Sequence, residues 1–425
     1  MNRDRTGNRF RLLFITALWG GFAGGVVWCF LKAVAFCTEI IWKTLPEKSG
    51  FSFIPVVICA VGGILLGSLH KKYDDYPEEL SVVMLKIKRD KYYDYKNIAV
   101  MMLCAFIPLV LCASVGPEAG LTGIIAALCY WIGDNVSYAG VQAAGFSKIG
   151  EAVTLGQLFH SPLFGILAVE ENEEESTEAG TLSKAQKLLY YGISAVSAFL
   201  ITKLLNTLFG TAMEGFPSFS EVPSGVHDYM LLLIYIPAGL LIYLIFEFFE
   251  RLTKNLAGRT PVILKEVLCG IVVGFMGIFI PVVMSSGEEQ MAGLMKDFSS
   301  YPPLFLVGIC ILKLLMTAFC INFGMKGGHF FPLIFACTCM GFALSNIFFS
   351  ASESHGAFAA AVVTATVLGA QLKKPLAAAL LLLLCFPPGL LLWSFVCAAI
   401  GDRAGSAMRF TASAKELSGD QGDIK

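Results

Sequence analysis

Charged side chains are scarce in this sequence. They make up 15% of its 425 residues, whereas hydrophobic residues make up 56%. Soluble domains usually carry about 25% charged residues. The core of a chain this long does not need so much apolar sequence, so the excess must face something other than water, and lipid is the obvious candidate. The composition predicts an all-α polytopic membrane protein.

Common metal-binding, phosphate-binding and catalytic sequence motifs are missing as well. The 13 cysteines are scattered through apolar runs without a CxxC pair, which favours packing roles over metal ligation. The sequence has no phosphate-binding loop, no HExxH motif and no nucleophile with triad partners. We therefore expect no catalytic residues, no cofactor and no metal. The net charge of -1 gives no argument for nucleic-acid binding.

The two ends of the chain favour a multi-pass protein of the cell membrane. The basic segment MNRDRTGNRFR leads directly into an apolar stretch, which predicts a cytoplasmic N-terminus and no cleavable signal peptide. The tail from Gly401 is polar and too short for a regulatory domain. We expect one transmembrane transport domain over residues 1–425.

Apolar runs of near-membrane length recur along the chain, and several are interrupted by Gly or Pro. A membrane-spanning helix needs about 20 mostly apolar residues. Lipid does not tolerate unpaired backbone, so such breaks must be buried in protein or line a wet cavity, which is typical of transporters and channels. The candidate spans lie near 10–36, 51–69, 97–115, 120–138, 150–169, 186–209, 228–249, 262–284, 303–323, 330–350, 356–372 and 375–400.

An internal repeat is the most informative pattern. Three landmarks recur in the same order at offsets of 210 to 213 residues. They predict a first repeat over about 50–209 and a second over about 228–400, followed by a polar tail at 401–425. Each half then contributes a broken helix to one shared site near the midplane. The landmarks are Pro162 with Pro375, Gly116 with Gly328, and Glu78–Glu79 with Glu288–Glu289.

The two breaks have the composition of an anion site. In SVGPEAGLTG, Gly116 and Gly120 allow close backbone approach, and Pro117 favours the first turn of a helix. In GGHFFP, Gly327 and Gly328 likewise lead into an apolar helix. A helix N-terminus has open N–H donors and a partial positive charge, so two of them aimed at one point would bind an anion without a full positive charge.

Glu118 is the outstanding ionisable residue, because it lies between glycines within apolar sequence. An acid at membrane depth is costly and usually functional. Its carboxylate could occupy the anion site until protonation releases it, which would make it a gate, a proton carrier or both. The alternative is a helix-start acid at the water interface that only complements the helix dipole.

These motifs resemble the CLC family of chloride channels and chloride/proton antiporters. SVGPEAGLTG is similar to the family's gating-glutamate motif Gly-Arg-Glu-Gly-Pro, and GGHFFP to its Gly-x-Phe-x-Pro motif. HSPLFGILAVEE, LKKPLAAALLLLL and the stretch from Lys313 through Thr317 to Pro332 also match. The resemblance spans residues 10 to 400. It implies a CLC-like fold of two inverted-topology repeats and a homodimer with one pore per subunit.

The resemblance assigns roles residue by residue. Glu118 matches the gating glutamate and Gly116 the glycine before it, while Pro117 replaces an Arg. Ala119 and Gly120 replace Gly-Pro. The second motif supplies the other half of the implied anion site, with Phe330 offering a backbone N–H. Its residues are Gly328, Phe330 and Pro332 at the fixed positions and His329 and Phe331 at the variable ones.

Three departures from the family pattern concern the ion ligands and the proton route. The family's serine ligand falls on Asp74, which would repel anions if ionised. The late tyrosine ligand is missing, because no tyrosine follows Tyr301, and Phe410 substitutes at best in bulk. For the inner proton pathway, an ungapped alignment from Pro162 places Asn172 at the proton-accepting position and a one-residue shift places Glu171 there. Glu170 and Glu171 are thus its candidates, or a solvated acidic turn.

The sequence therefore predicts transport of chloride or a similar anion through a CLC-type pore gated by a glutamate. Proton-coupled exchange and passive conduction both remain open. An intramembrane enzyme is disfavoured because paired acid/base and metal motifs are missing. A cation transporter, suggested by Asp74, Asp75 and Glu118, is disfavoured because helix N-termini repel cations.

Overall fold

The computed structural model describes residues 2–73, 75–79, 82–83, 86, 89–90, 92–135, 184–210, 217–219, 225–349 and 353–419. These residues form α-helices joined by short turns, and they contain no β-strand. Residues Ile40–Thr44 form a π-helical turn between the first two helices. The fold class is therefore all-α, as the composition predicts.

Fifteen α-helices follow one another along the described residues. They are α1 (Asn2–Glu39), α2 (Leu45–Ser49), α3 (Ile54–Lys72), α4 (Ile98–Val110), α5 (Glu118–Asn135), α6 (Lys184–Leu208), α7 (Val226–Met230), α8 (Leu232–Gly258), α9 (Val262–Phe279), α10 (Glu288–Asp297), α11 (Pro303–Asn322), α12 (Phe330–Phe348), α13 (Glu353–Leu372), α14 (Pro375–Leu382) and α15 (Leu391–Gly419).

Seven helical segments in the described part of the chain are long and apolar enough to cross a membrane, and three shorter apolar helices accompany them. The chain is thus a multi-pass membrane protein. The predicted span at 375–400 is wrong as a single helix: α14 ends at Leu382 and α15 begins at Leu391. The Pro387-Pro388 pair between them cannot continue a helix, because proline lacks an N–H and clashes with the preceding turn. The candidate span at 150–169 lies outside the described residues.

The chain divides into two compact units. The first contains residues 1–216, 254–286 and 319–329. Its tightest helix pair is α3 with α9, which meet through small residues: a Cβ added at Gly270 would lie 2.7 Å from the Cys59 carbonyl carbon, and one at Gly274 would lie 2.6 Å from Val56 Cα. Membrane helices commonly associate in this way, because small residues let two backbones approach.

The second unit contains residues 217–253, 287–318 and 330–425. Here α12, α13 and α15 form an apolar core, again with small residues at the contacts. A Cβ at Gly369 would lie 2.6 Å from Ala398 Cα. The buried hydroxyls of Thr338, Thr364 and Thr366 donate to carbonyls one turn earlier in their own helices. The tail predicted as polar continues α15 as a helix as far as Gly419.

Candidate functional site

The site is built at the start of α5. Pro117 precedes the helix, and the Leu121 N–H donates to the Pro117 carbonyl at 3.0 Å to begin the intrahelical hydrogen bonding. Glu118 is therefore the first residue of α5, directly after Pro117, which the sequence predicts in the first helical turn. The N–H groups of a helix's first turn have no intrahelical acceptor, so this end of α5 carries a partial positive charge beside an acidic side chain.

The two glycine breaks meet within the first unit. Gly116 and Gly328 form an isolated antiparallel bridge, in which each N–H donates to the other's carbonyl at 2.8 Å. Positions 212 residues apart in the sequence thus lie side by side. The N–H groups of these two glycines donate to each other's carbonyl oxygens. Any contribution of Gly116 and Gly328 to anion binding must therefore come from the room beside the bridge, where neither residue has a side chain. That contribution stays a prediction.

The Glu118 side chain lies against this bridge. A Cβ added at Gly116 would stand 2.8 Å from the Glu118 carboxyl carbon, and one added at Gly328 would overlap that carbon. Only glycine at both positions accommodates the acid. Glu118 is 1% exposed. Glu118 is thus a buried acid at a helix start, and its role as a gate stays a prediction.

The other predicted site residues follow these two glycines in the chain. Ala119 and Gly120 are buried in the first turn of α5, and Pro117 is half-buried before it. His329 is half-buried directly after Gly328. Phe330 and Phe331 are the first two residues of α12.

The loop after α3 carries an ion pair that sequence reasoning did not anticipate. The Lys326 ammonium, two residues before Gly328, lies 2.6 Å from the Asp75 carboxylate. Burial opposes ionisation of Asp75, but the adjacent Lys326 outweighs it and lowers the pKa of that carboxyl. Asp75 is therefore ionised and neutralised locally. Asp74, the position matched to the family serine, lies outside the described residues.

A buried histidine and glutamate were also missed. His70 lies in the last turn of α3 and Glu266 in α9, with Nδ1 and Oε1 2.8 Å apart and both side chains at most 2% exposed. The candidate span near 51–69 stops short of His70, whereas α3 extends to Lys72. The sequence feature that could have revealed this pair is Glu266, an acid within the apolar span at 262–284.

One buried cation lies in the second unit. Lys313 of α11 is fully buried, and its ammonium lies 5.5 Å from the centre of the Phe335 ring. Lys313 and Thr317 carry the long sequence match that precedes the second break. The proposed proton-pathway residues Glu170 and Glu171, together with Pro162 and His160, lie outside the described residues. Among the residues that the structure describes, acids, histidines and cysteines nowhere cluster as a metal site would require.

Comparisons with known proteins bear on the family and the fold of the chain. The family model described as "Voltage gated chloride channel" matches residues 62–405. No curated protein matches the chain. Among solved structures, a slow cyanobacterial Cl-/H+ antiporter is similar with a TM-score of 0.76 and 16% identity, over 96% of this chain and 99% of the other.

Two further solved structures share the fold. A CLC-type fluoride/proton antiporter is similar with a TM-score of 0.69 and 19% identity, over 92% of this chain and 94% of the other. A eukaryotic CLC transporter is similar with a TM-score of 0.69 and 14% identity, over 94% of this chain and 72% of the other. Identities this low show the shared fold alone.

Proposed function

This chain belongs to the voltage-gated chloride channel family, and on that premise we propose that it exchanges a small anion for protons, with Glu118 as the gate. Anion transport of the CLC type follows from the family, whose members are transporters or channels and not enzymes. The gate and the proton coupling are the proposal. The observation that carries them is the buried Glu118 carboxyl lying against the Gly116–Gly328 bridge.

The proposed mechanism is a competition between the carboxylate and the anion. The ionised Glu118 carboxylate occupies the space beside the two glycines, where an anion would otherwise meet the donors of the first helical turns. Protonation removes the charge that holds the carboxylate there. The anion then enters from one side, and the neutral acid carries a proton that it releases when the anion leaves.

The ligand donors that we assign to this site are those that the sequence motifs and the family resemblance imply. We assign the backbone of Ala119 and Gly120 in the first turn of α5, and of His329, Phe330 and Phe331 after the bridge. These groups are neutral dipoles, which suits a conducting site because a full positive charge would hold the anion too tightly. The neighbouring structures make chloride and fluoride the first anions to test. We further propose a homodimer with a cytoplasmic N-terminus.

The experiment is chloride-driven proton uptake in reconstituted vesicles. Glu118→Gln keeps the size of the side chain and removes its titration, so we expect anion flux to change and coupled proton movement to be abolished. Glu289→Gln is the matched control, since Glu289 is also an acid in the first turn of a helix but is exposed. Fluoride, bromide and nitrate gradients then rank the anions.

The results separate exchange from conduction. Uphill proton movement in the wild type that is lost in Glu118→Gln supports the proposal. Brisk anion flux without any proton movement in the wild type would replace exchange with a passive channel. Unchanged flux and pH response in Glu118→Gln would sink the gating role.

A further inference from the structure

The pair of His70 and Glu266 is buried at the end of α3, apart from the Glu118 bridge. Glu266 Oε1 lies 2.8 Å from Nδ1 of the His70 ring, and the carbonyl oxygen of Tyr76 lies 2.6 Å from Nε2. Both ring nitrogens therefore face oxygen acceptors. The three residues connect α3, α9 and the loop that leads towards Asp75 and Pro77.

The geometry fixes how many protons the pair holds. A carbonyl only accepts hydrogen bonds, so Nε2 must carry a proton to donate to Tyr76. A second proton must lie between Nδ1 and Glu266 Oε1, because otherwise a nitrogen lone pair would face a carboxylate in an apolar interior. With that proton the pair is neutral overall, whether it resides on the imidazole or on the carboxyl.

Glu266 has capacity for one proton more. Its Oε2 atom is buried and has no hydrogen-bond partner within the described part of the chain. A Cβ added at Gly67 of α3 would lie 3.5 Å from Oε2, so this oxygen faces α3. A buried carboxylate oxygen without a donor is costly while ionised. Protonation at Oε2 turns the uncompensated carboxylate oxygen into a neutral hydroxyl, and the positive charge of the pair then lies on the His70 ring.

One segment contacts both buried acids. A Cβ at Gly324 would lie 2.6 Å from the carboxyl carbon of Glu266, and four residues later Gly328 lies against the Glu118 carboxyl. Between them Lys326 binds Asp75, whose Oδ1 is 3.8 Å from His70 Nδ1. The state of the pair is thus connected to the Glu118 site through residues 324–328.

We propose that His70 and Glu266 form a proton-binding site that supplies and recovers the proton exchanged at Glu118, an inference that rests on the proposed exchange. Uptake of one proton at Glu266 Oε2 makes the pair cationic. Transfer of one proton to the ionised Glu118 returns the pair to neutrality and neutralises Glu118, so charge balances. The reverse transfer restores the cationic pair.

Other ionisable groups surround the pair. Asp75 is compensated by Lys326, and the thiols carry no charge while protonated, so Glu266 is the acid that the His70 ring neutralises. The neighbouring groups are Lys71 and Lys72 on α3, Asp75 on the following loop, Cys104 on α4, Lys265 and Cys269 on α9, and Lys326 before α12.

The test is Glu266→Gln in vesicles, with chloride flux and proton uptake measured together. A Gln amide can donate to Nδ1 while Nε2 still donates to Tyr76, so the hydrogen bonds survive and only the titration is lost. Positioned proton donors contribute roughly 10²–10⁴-fold to proton transfer. We therefore expect proton uptake to fall by about a hundredfold while chloride flux continues.

The chain offers a matched control in the second unit. Asp228→Asn makes the same chemical change beside His355, whose Nδ1 lies 2.7 Å from Asp228 Oδ1, and it should leave the ratio of protons to chloride at the wild-type value. If Glu266→Gln also keeps that ratio while Glu118→Gln abolishes exchange, this inference is wrong and the proposed function stands. If the wild type moves no protons, the exchange itself fails and this inference with it.

A second variant and a spectroscopic measurement do not depend on one mutant folding. Glu266→Asp keeps an acid one methylene shorter, so we expect exchange to persist with a displaced pH profile. In infrared difference spectra of the wild type between acidic and neutral pH, we expect a protonated-carboxyl band that disappears in Glu266→Gln and remains in Asp228→Asn. Equal coupling in the Asp and Gln variants, or a band unaffected by Glu266→Gln, overturns the site.

Discussion

The two units each contain a histidine–acid pair, and the pairs differ in burial and in how completely their hydrogen bonding is satisfied. In the second unit, Asp228 binds His355 at 2.7 Å and also accepts the Gly225 N–H at 2.8 Å, which caps α7. The His355 side chain is 26% exposed. In the first unit, the His70 side chain is 2% exposed, and Oε2 of Glu266 has no hydrogen-bond partner among the described residues.

That difference distinguishes a structural pair from one suited to proton exchange. Asp228 is satisfied by a helix cap and by a partly exposed histidine, so its protonation would lose contacts and gain none. Glu266 lies on α9 against α3, and an extra proton would convert its unbonded carboxylate oxygen into a neutral hydroxyl. Thr338, Thr364 and Thr366 of the second unit follow the first pattern, since their hydroxyls bond within their own helices.

The largest expected effect comes from removing each histidine. His70→Ala leaves Glu266 buried without its partner, and breaking a buried pair in this way costs about 3–5 kcal/mol. His355→Ala leaves Asp228 bound to the Gly225 N–H, so its cost is that of one hydrogen bond to a charged group, about 1.5–3 kcal/mol. The measurement is the free energy of unfolding in mixed micelles. Equal losses in the two variants would contradict the comparison.

An intermediate effect is expected at Gly324. Its φ of 99° lies in the region that favours glycine, and an added Cβ would meet the Glu266 carboxyl at 2.6 Å. Positive-φ strain alone costs about 1–3 kcal/mol in a non-glycine residue. Gly324→Ala should therefore destabilise the protein by about that amount and displace the pH profile of transport.

Gly308→Ala is the control for this substitution. Gly308 lies inside α11 with no atom within 4 Å of an added Cβ, so the same change should be neutral or stabilise by about 0.5–1 kcal/mol. A loss in Gly324→Ala no greater than that in Gly308→Ala would show that Glu266 does not need this close approach.

The local parts of the site could be predicted from the sequence because local rules govern them. Gly116 and Pro117 separate one helix from the next, and this pattern predicted a helix start at Pro117, one residue before the first residue of α5. The equal offset between Gly116 and Gly328 also indicated that the two breaks correspond. The hydrogen bonds between Gly116 and Gly328 depend on the tertiary structure. The repeat is consistent with them but does not predict them.

The His70–Glu266 pair could not be predicted because its partners are 196 residues apart. The run HKKYDDYPEEL is polar enough to be taken for a loop from His70 onwards. In the structure the first three of these residues continue α3, and the glycines that bring α9 close bury the histidine. Burial that depends on helix packing cannot be predicted from the composition of a short stretch of sequence.

The smallest effect is expected for Asp75 and Lys326, which provide the solvent-exposed reference for both buried pairs. The Asp75 side chain is 59% exposed, and exposed ion pairs contribute only about 0.2–1 kcal/mol. The folded-state pKa of Asp75 is lowered. The contribution of the ion pair to the free energy of unfolding is therefore present above the unfolded-state pKa of about 3.9, and it is lost as the pH falls through the folded-state pKa. Lys326→Met should therefore be slightly less stable than the wild type at neutral pH.

The two stability curves should converge in acid and also at high salt, where exposed charges are screened. Lys326→Arg keeps the charge and should follow the wild type. A difference that persists unchanged below the titration of Asp75 would mean that the Lys326 side chain stabilises its segment through packing instead. The contact between residues 324–328 and the His70 loop would then be independent of charge, and coupling between the two acids would have to act through Gly324 alone.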